Sequence, residues 1–339
     1  MQYAYTPEPG ICPLCGSNNA KLLYEIDSED VAKNFLVKER DPQKFEQLVT
    51  NVNNTWKSTT CKVIQCDNCG LCYTNPFVAG DNEFYNLIYG GTGKSRWKWE
   101  FEVTFQKIKE IMGGINPNET TLLEIGAADG TFIKKISPYL IPKQNILCTD
   151  YSENCKKLIE QYGIKCETID ITKTKNPKFK NKFSILCMFQ VLEHMDSIDY
   201  FFKAAYFLTK PNADIFIAVP NDKMIAIQEL YGELLDEPPH HTSRWNKKCF
   251  EIASQKYGFK LLDYKIEPCR LIPAFKQIII YKYKRKRQIR GNIYCKSALI
   301  KNNRLRRIAE IMLVAYLSIT SLTILPKLQG NSQWVHLRK

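Results

Sequence analysis

From residue 121 onward, short apolar runs alternate with stretches whose apolar residues recur at helical spacing. The runs are 121-TLLEI-125, 145-NILCTD-150, 166-CETID-170, 183-FSILCMF-189 and 214-DIFIAVP-220. Between them, 152-SENCKKLIEQYG-163 and 198-IDYFFKAAYFLTK-210 read as helices, the first opened by Ser152 and stopped by Gly163. Near-continuous apolar strands separated by helices specify a parallel sheet covered on both faces. The pattern therefore predicts a doubly wound α/β domain. Farther on, 246-NKKCFEIASQKYGF-259 is a helix ended by Gly258, 260-KLLDYKIE-267 a strand, and 333-QWVHLRK-339 alternates as a strand does. Upstream, 97-WKWEFEVTFQKIKEIM-112 is an amphipathic helix.

Residues 1–75 follow a different pattern, with two matched Cys-x-x-Cys-Gly knuckles at Cys12/Cys15 and Cys66/Cys69. Four thiolates suit tetrahedral zinc, and the glycine after each second cysteine relieves a tight turn. With every position filled by sulfur, such a zinc would be structural. The 50 residues between the knuckles exceed a plain ribbon and call for an insertion. Cys61 and Cys72 are alternative ligands, whereas Cys148 and Cys187 read as core residues. Thirteen cysteines, with no basic and apolar leader in Met1 to Gly10, imply reduced thiols and a cytoplasmic setting.

Charge changes the picture at one place. Twelve Lys/Arg and no acid lie between Lys276 and Arg307, which accounts for most of the net +13. Such a segment suits a membrane surface, nucleic acid or a diphosphate substrate; a solvated basic face is the alternative. The apolar 308-IAEIMLVAYLSITSLTIL-325 is interrupted by Glu310 and stopped by Pro326, short of the roughly 20 apolar residues a span needs. It reads as a core helix or, failing that, an interfacial one, allowing peripheral membrane contact through 276–325.

Two glycine runs compete for a nucleoside. In 87-LIYGGTGKSRW-97 the position six before Lys94 is Ile88, where a phosphate-binding loop wants glycine, and no apolar strand precedes it. In 121-TLLEIGAADGTF-132 a strand runs into Glu124-x-Gly126-x-Ala128-x-Gly130 and then a helix. Small residues there let the backbone approach a ligand, and Asp150 at the next strand end can accept from two ribose hydroxyls. The second run is the better nucleoside site.

Together 123-LEIGAADGTF-132, 147-LCTDYS-152, Asp170-Ile171 and 187-CMFQVLEHM-195 resemble the class I S-adenosylmethionine-dependent methyltransferases. The resemblance implies a Rossmann-like, seven-stranded sheet whose last strand is antiparallel. It places Gly126 and Gly130 against the methionyl part of S-adenosylmethionine, Asp150 on the ribose and Tyr151 beside the adenine. Asp170 and Ile171 would meet the adenine edge, and Phe189 and Gln190 would lend backbone near the sulfonium. Ala128 stands where the family often has glycine, and its methyl group is expected to be tolerated. Glu193 and His194 are expected to cap and orient their loop. The knuckles with 70-GLCYTNP-76, and 238-PPHHTSRW-245 with 333-QWVHLRK-339, resemble bacterial sugar methyltransferases that carry an amino-terminal zinc-binding domain, including deoxysugar C-methyltransferases.

The implied organisation is a zinc-binding module at 1–75, a helical connector over the active site at 76–118, and a methyltransferase domain at 119–339 with an insertion near 271–330. Methyl transfer to O–H or C–H also needs proton removal, which histidine performs near neutral pH. His240 and His241 follow the strand 214–220, and His241 better matches the base of the sugar enzymes; a histidine that only holds its loop is the competing reading. Tyr85 and Tyr89 are secondary candidates. The expected acceptor is a nucleotide-linked sugar or glycan precursor. The alternative is RNA, held by the zinc module and the basic segment.

Overall fold

The structure is a computed structural model describing residues 10–88, 96–168, 176–230, 235–288 and 303–339. Tyr89, the Gly90–Ser95 run, Asp170 and Ile171 lie outside the described residues. The chain divides into two units, one of Met1–Pro220, Glu237–Lys265 and Ser332–Lys339, the other of Asn221–Asp236 and Ile266–Asn331.

In the first unit, β1 (Ala20–Asp27), α1 (Ser28–Phe35), α2 (Pro42–Trp56), β2 (Thr60–Cys66) and β3 (Cys72–Asn75) come first. The insertion expected between the knuckles is thus β1 with two helices. Asp27 and Asp41 cap those helices by accepting from Asp30 and Lys44 N–H groups. After α3 (Asn82–Ile88) and α4 (Trp99–Met112), strand and helix alternate. The elements are β4 (Leu122–Ile125), α5 (Thr131–Ile136), β5 (Ile146–Thr149), α6 (Glu153–Glu160), β6 (Lys165–Glu167), β7 (Phe183–Phe189), α7 (Ile198–Leu208) and β8 (Thr209–Pro220). The last part adds β9 (Ser243–Arg244), α9 (Lys247–Tyr257; α8, Asp222–Leu230, belongs to the other unit), β10 (Lys260–Ile266) and β11 (Ser332–Arg338).

The larger sheet has the order β10-β11-β8-β7-β4-β5-β6. Strands β4 to β8 pair in parallel, and β11 runs antiparallel to β8, with Ser332 opposite Pro220 and Arg338 opposite Asp214. This is the mixed seven-stranded, Rossmann-like sheet that the sequence predicts. Strands β4 and β5 are buried throughout, and β7 nearly so, because both faces are covered, each by its own hydrophobic cluster. Buried Asp214 holds β11 in register by accepting from His336 Nε2 at 2.7 Å and Arg338 Nη2 at 2.6 Å. The smaller sheet, β1-β2-β3-β9, takes its last strand from Ser243–Arg244, far along the chain.

The second unit holds α8, α10 (Leu271–Gln288) and α11 (Asn303–Ile319), with a small core of Met224, Ile278, Ile324 and Leu328. No described helix is long and apolar enough to cross a membrane. The expectation of a core helix over 308–325 is corrected: Ile311, Met312 and Ile319 are each 68% exposed, and Leu317 is one of few buried side chains there. An apolar cleft of about 860 Å³ opens among Leu271, Phe275, Ile279, Val314 and Leu325.

Candidate active site and cysteine cluster

The chain turns sharply after β4. Gly126 N–H donates to Thr149 O at 2.8 Å, and Gly126, Ala128 and Gly130 all have positive φ, at 70°, 49° and 74°. A Cβ on Gly126 would stand 2.4 Å from Val191 Cγ2 and at a φ of 70°, so a side chain there would displace Val191 and strain the backbone. Asp150 closes the turn: its Oδ2 accepts from Ala128 N–H at 2.8 Å and its Oδ1 from Ser152 N–H at 2.9 Å. Burial raises the Asp150 pKa, and these two amides pull it back. Each carboxylate oxygen keeps acceptor capacity beyond its one amide. Tyr151 beside it is largely exposed.

Glu124 lies in the middle of the sheet, paired with Cys148 on one side and Cys187 on the other. It is 2% exposed, and its Oε2 has no hydrogen-bond partner. Burial, then the charges of Asp150 and Asp129, push its pKa far up. A buried, unpartnered carboxyl at the strand end beside the glycine turn fits a cationic ligand group that would pair with it. Beyond it Phe189 packs edge-on against Phe132 and Phe101, with centroids 4.8 and 5.0 Å apart. Gln190 has φ 56° and reaches Glu100 and Ser332 with its side-chain amide.

At the carboxyl end of β7 three imidazoles meet. His194, His240 and His241 have centroids 4.5 to 4.7 Å apart, the last two stacked at 16°. His194 Nδ1 lies 2.6 Å from the His240 carbonyl oxygen and 3.2 Å from Tyr85 Oη. Burial, then the neighbouring His241, push the His194 pKa down to about 3. Burial and then His240 likewise hold His241 well below its ordinary value, so His194 and His241 are neutral at pH 7 and keep a lone pair each. The structure thus brings His240, His241 and Tyr85 together, and adds His194. Sequence reasoning gave His194 only an orienting role, because nothing along the chain tells that residue 194 meets residues 240 and 241.

Residues 96–264 match the family model described as "Methyltransferase domain". The chain carries a class I S-adenosylmethionine-dependent methyltransferase domain. It is an enzyme of that kind. A search of curated proteins finds no match. Among solved structures, phosphoethanolamine N-methyltransferase 2 of Haemonchus contortus, in complex with S-adenosyl-L-methionine, is 17% identical with a TM-score of 0.43. That match covers 75% of this chain and 56% of the Haemonchus enzyme. The cyclopropane synthase MmaA2 of Mycobacterium tuberculosis is 15% identical over 70% of this chain and 85% of its own, at a TM-score of 0.44. A SAM-dependent methyltransferase of Archaeoglobus fulgidus is 14% identical over 70% and 94%, at 0.43. The fold of this methyltransferase stands on its strand order, not on those scores.

The methyltransferase's four knuckle cysteines converge. Cys12 Sγ lies 3.5 Å from Cys69 Sγ, and Cys15 Sγ 3.6 Å from Cys66 Sγ. Tetrahedral zinc with bonds of about 2.3 Å sets sulfurs roughly 3.8 Å apart, so the donor set fits that metal. Gly16 and Gly70 N–H groups return to the Cys12 and Cys66 carbonyls at 2.9 and 2.8 Å. Burial pushes the Cys15 thiol up, but hydrogen bonds from Asn68 and the Ser17 amide outweigh it and hold the pKa at about 7. Cys61, buried elsewhere and pushed up to about 12, and Cys72 stand outside the cluster.

Ala128 carries a methyl group in the left-handed region, which costs an L-residue about 1–2 kcal/mol. Ala128→Gly is therefore expected to stabilise the protein by about 1 kcal/mol, part of the relief being lost to chain entropy. Thermal unfolding should show a rise of a few degrees, and an unchanged or lower midpoint would contradict strain at this position.

Proposed function

We propose that this methyltransferase acts on a small-molecule acceptor, a nucleotide-linked sugar or glycan precursor, in the crevice at the carboxyl ends of β4 and β7. The observation that carries the reading is Asp150, ordered by two amides of the glycine turn and next helix start, beside the unpartnered Glu124. The sugar class is supported by the resemblance of the cysteine knuckles and PPHHTSRW to sugar methyltransferases. S-adenosylmethionine supplies a methyl group activated by positive sulfur. Asp150 would accept from the ribose hydroxyls, and Glu124 would take the ammonium. Gly126 and Gly130 admit close backbone approach, while Phe101, Phe132 and Phe189 form an apolar wall. The histidine cluster, with His241 in it and Tyr85 beside it, is where the acceptor proton would leave.

Calorimetry is expected to show Asp150→Ala binding S-adenosylmethionine about 1–3 kcal/mol more weakly than wild type, because the ribose hydroxyls lose their acceptor. Equal affinities would remove Asp150 from the cofactor site.

The same reading gives the knuckles one structural zinc, held by Cys12, Cys15, Cys66 and Cys69. Elemental analysis should find the wild-type zinc content in Cys61→Ser and Cys72→Ser, and one zinc per chain fewer in Cys66→Ser. Chelation should melt the β1-β2-β3-β9 sheet, since small metal modules fold around their ion. An unchanged zinc content in Cys66→Ser would overturn the ligand set.

For α10 and α11 we infer an interfacial role at an anionic bilayer. Ile272, Ile311, Met312 and Ile319 are exposed on these helices, in a segment that also carries Lys276, Arg304 and Arg307. Exposed apolar side chains with nearby cations match the chemistry of an anionic lipid surface. The protein should sediment with phosphatidylglycerol vesicles and much less with phosphatidylcholine vesicles, and Ile311→Glu with Met312→Glu should release it. Absence of wild-type binding to anionic vesicles would refute this role.

A further inference from the structure

The histidine cluster has a feature that proton removal by one base does not require. Its donor nitrogens, one from each of His194, His240 and His241, all lie within 4.8 Å of one another. His194 is oriented as ligating histidines are: its Nδ1 faces the His240 carbonyl oxygen at 2.6 Å, and a carbonyl can only accept. Nδ1 must then carry the proton, which leaves the lone pair on Nε2. The carboxyl group of buried Glu193 stands 3.9 Å from that Nε2, beside the place a cation would take. The backbone fixes the other two rings: Thr242 N–H donates to Glu193 O at 2.7 Å, tying the His240-His241 segment to the turn that bears His194.

We propose that His194, His240 and His241 form a metal site of their own, binding a divalent first-row transition ion such as Zn²⁺. Imidazole nitrogens suit such ions. Tetrahedral zinc with Zn–N bonds of about 2.0–2.1 Å sets nitrogens roughly 3.4 Å apart, so binding requires the rings to rotate inward by about 1 Å. The stacked pair would fan apart on binding, while His194, steeply inclined to both, closes the third position. Three protein ligands leave a fourth position open, as in catalytic rather than structural zinc sites. An acceptor oxygen placed there would be acidified by the cation. That role rests on the methyltransferase reading; binding of the ion does not. The knuckle cluster offers sulfur only, so the two sites are distinguishable by their donors.

The test loads the full chain with Co²⁺ and follows absorption together with bound metal. Thiolate-bound cobalt gives a sulfur charge-transfer band, whereas nitrogen-bound cobalt gives ligand-field bands alone. The expected result is one equivalent per chain without sulfur character, lost in each of His194→Ala, His240→Ala and His241→Ala. Circular dichroism and calorimetric binding of S-adenosylmethionine serve as controls for folding. With zinc restored, each variant should lose about 10²-fold or more in methyl transfer, whereas a lone base would concentrate the loss in His241→Ala. Absence of the nitrogen-bound equivalent in wild type, or its retention in any folded variant, overturns the proposal. Neither result touches cofactor binding, so the methyltransferase reading fails or stands on its own measurement.

Discussion

Thr242 is the joint on which the rest of the first unit depends. It is fully buried, and its N–H and hydroxyl donate to the Glu193 and Met195 carbonyls at 2.7 and 2.6 Å. Its own carbonyl accepts from Thr74 N–H at 3.1 Å, and nearby Pro239 accepts from Gly80 N–H at 2.9 Å. One residue thus ties β7's following turn to the edge of the smaller sheet. Nearby, Arg244 donates to Tyr24 Oη at 2.7 Å while that hydroxyl donates to Glu237 at 2.6 Å, with Glu237 buried and Arg244 partly so. A buried ion pair adds little net stability, but removing one partner strands the other, so the pair fixes which segments meet. The cysteine module and the histidine cluster are therefore coupled through the same eight or so residues of backbone.

That coupling explains what could be read from the sequence. Most of the parallel strands were legible because their runs are apolar, as in β4, β5 and β7, and Gly258 and Ser152 mark helix ends where the structure has them. The antiparallel β11 was legible by resemblance and by its alternation. The knuckles were legible because ligand spacing is local: Cys12 to Cys15 and Cys66 to Cys69 each close one turn. The histidine cluster was only half legible. His240 and His241 are adjacent in sequence, but His194 reaches them through Thr242 and the Glu193 carbonyl, a backbone contact that leaves no side-chain signature. The amphipathic helix α11 misled for a related reason. An apolar run shows that burial is favourable without saying what provides it, and here much of it faces outward.

Ala128 shows how a departure from the expected glycine is accommodated. Its φ of 49° would ordinarily select glycine, yet its amide is the donor that fixes Asp150 Oδ2 at 2.8 Å. The strained residue and the ordered acid are two ends of one hydrogen bond. A charge-assisted bond of this kind contributes about 1.5–3 kcal/mol, enough to offset left-handed strain of about 1–2. The amide would point toward Asp150 with glycine in place as well, so the methyl group contributes a narrower unfolded ensemble rather than a contact.

Asp150 and Glu124 divide the electrostatic work of the crevice through their unequal environments. Both are carboxyls at strand ends, on adjacent parallel strands or just past them, and burial raises both. Asp150 receives two amides that favour its charged form; Glu124 has an unpartnered oxygen and feels the negative charges of Asp150 and Asp129. Asp150 is therefore held in place before any ligand arrives, so little ordering remains to be done on binding. Glu124 is the opposite case, a group whose ionised form needs a cation to arrive. A ligand offering neutral hydroxyls to the first and a positive charge to the second would satisfy both at once. A ligand with hydroxyls alone would leave the buried acid uncompensated, so the pair suits a ligand that also carries positive charge.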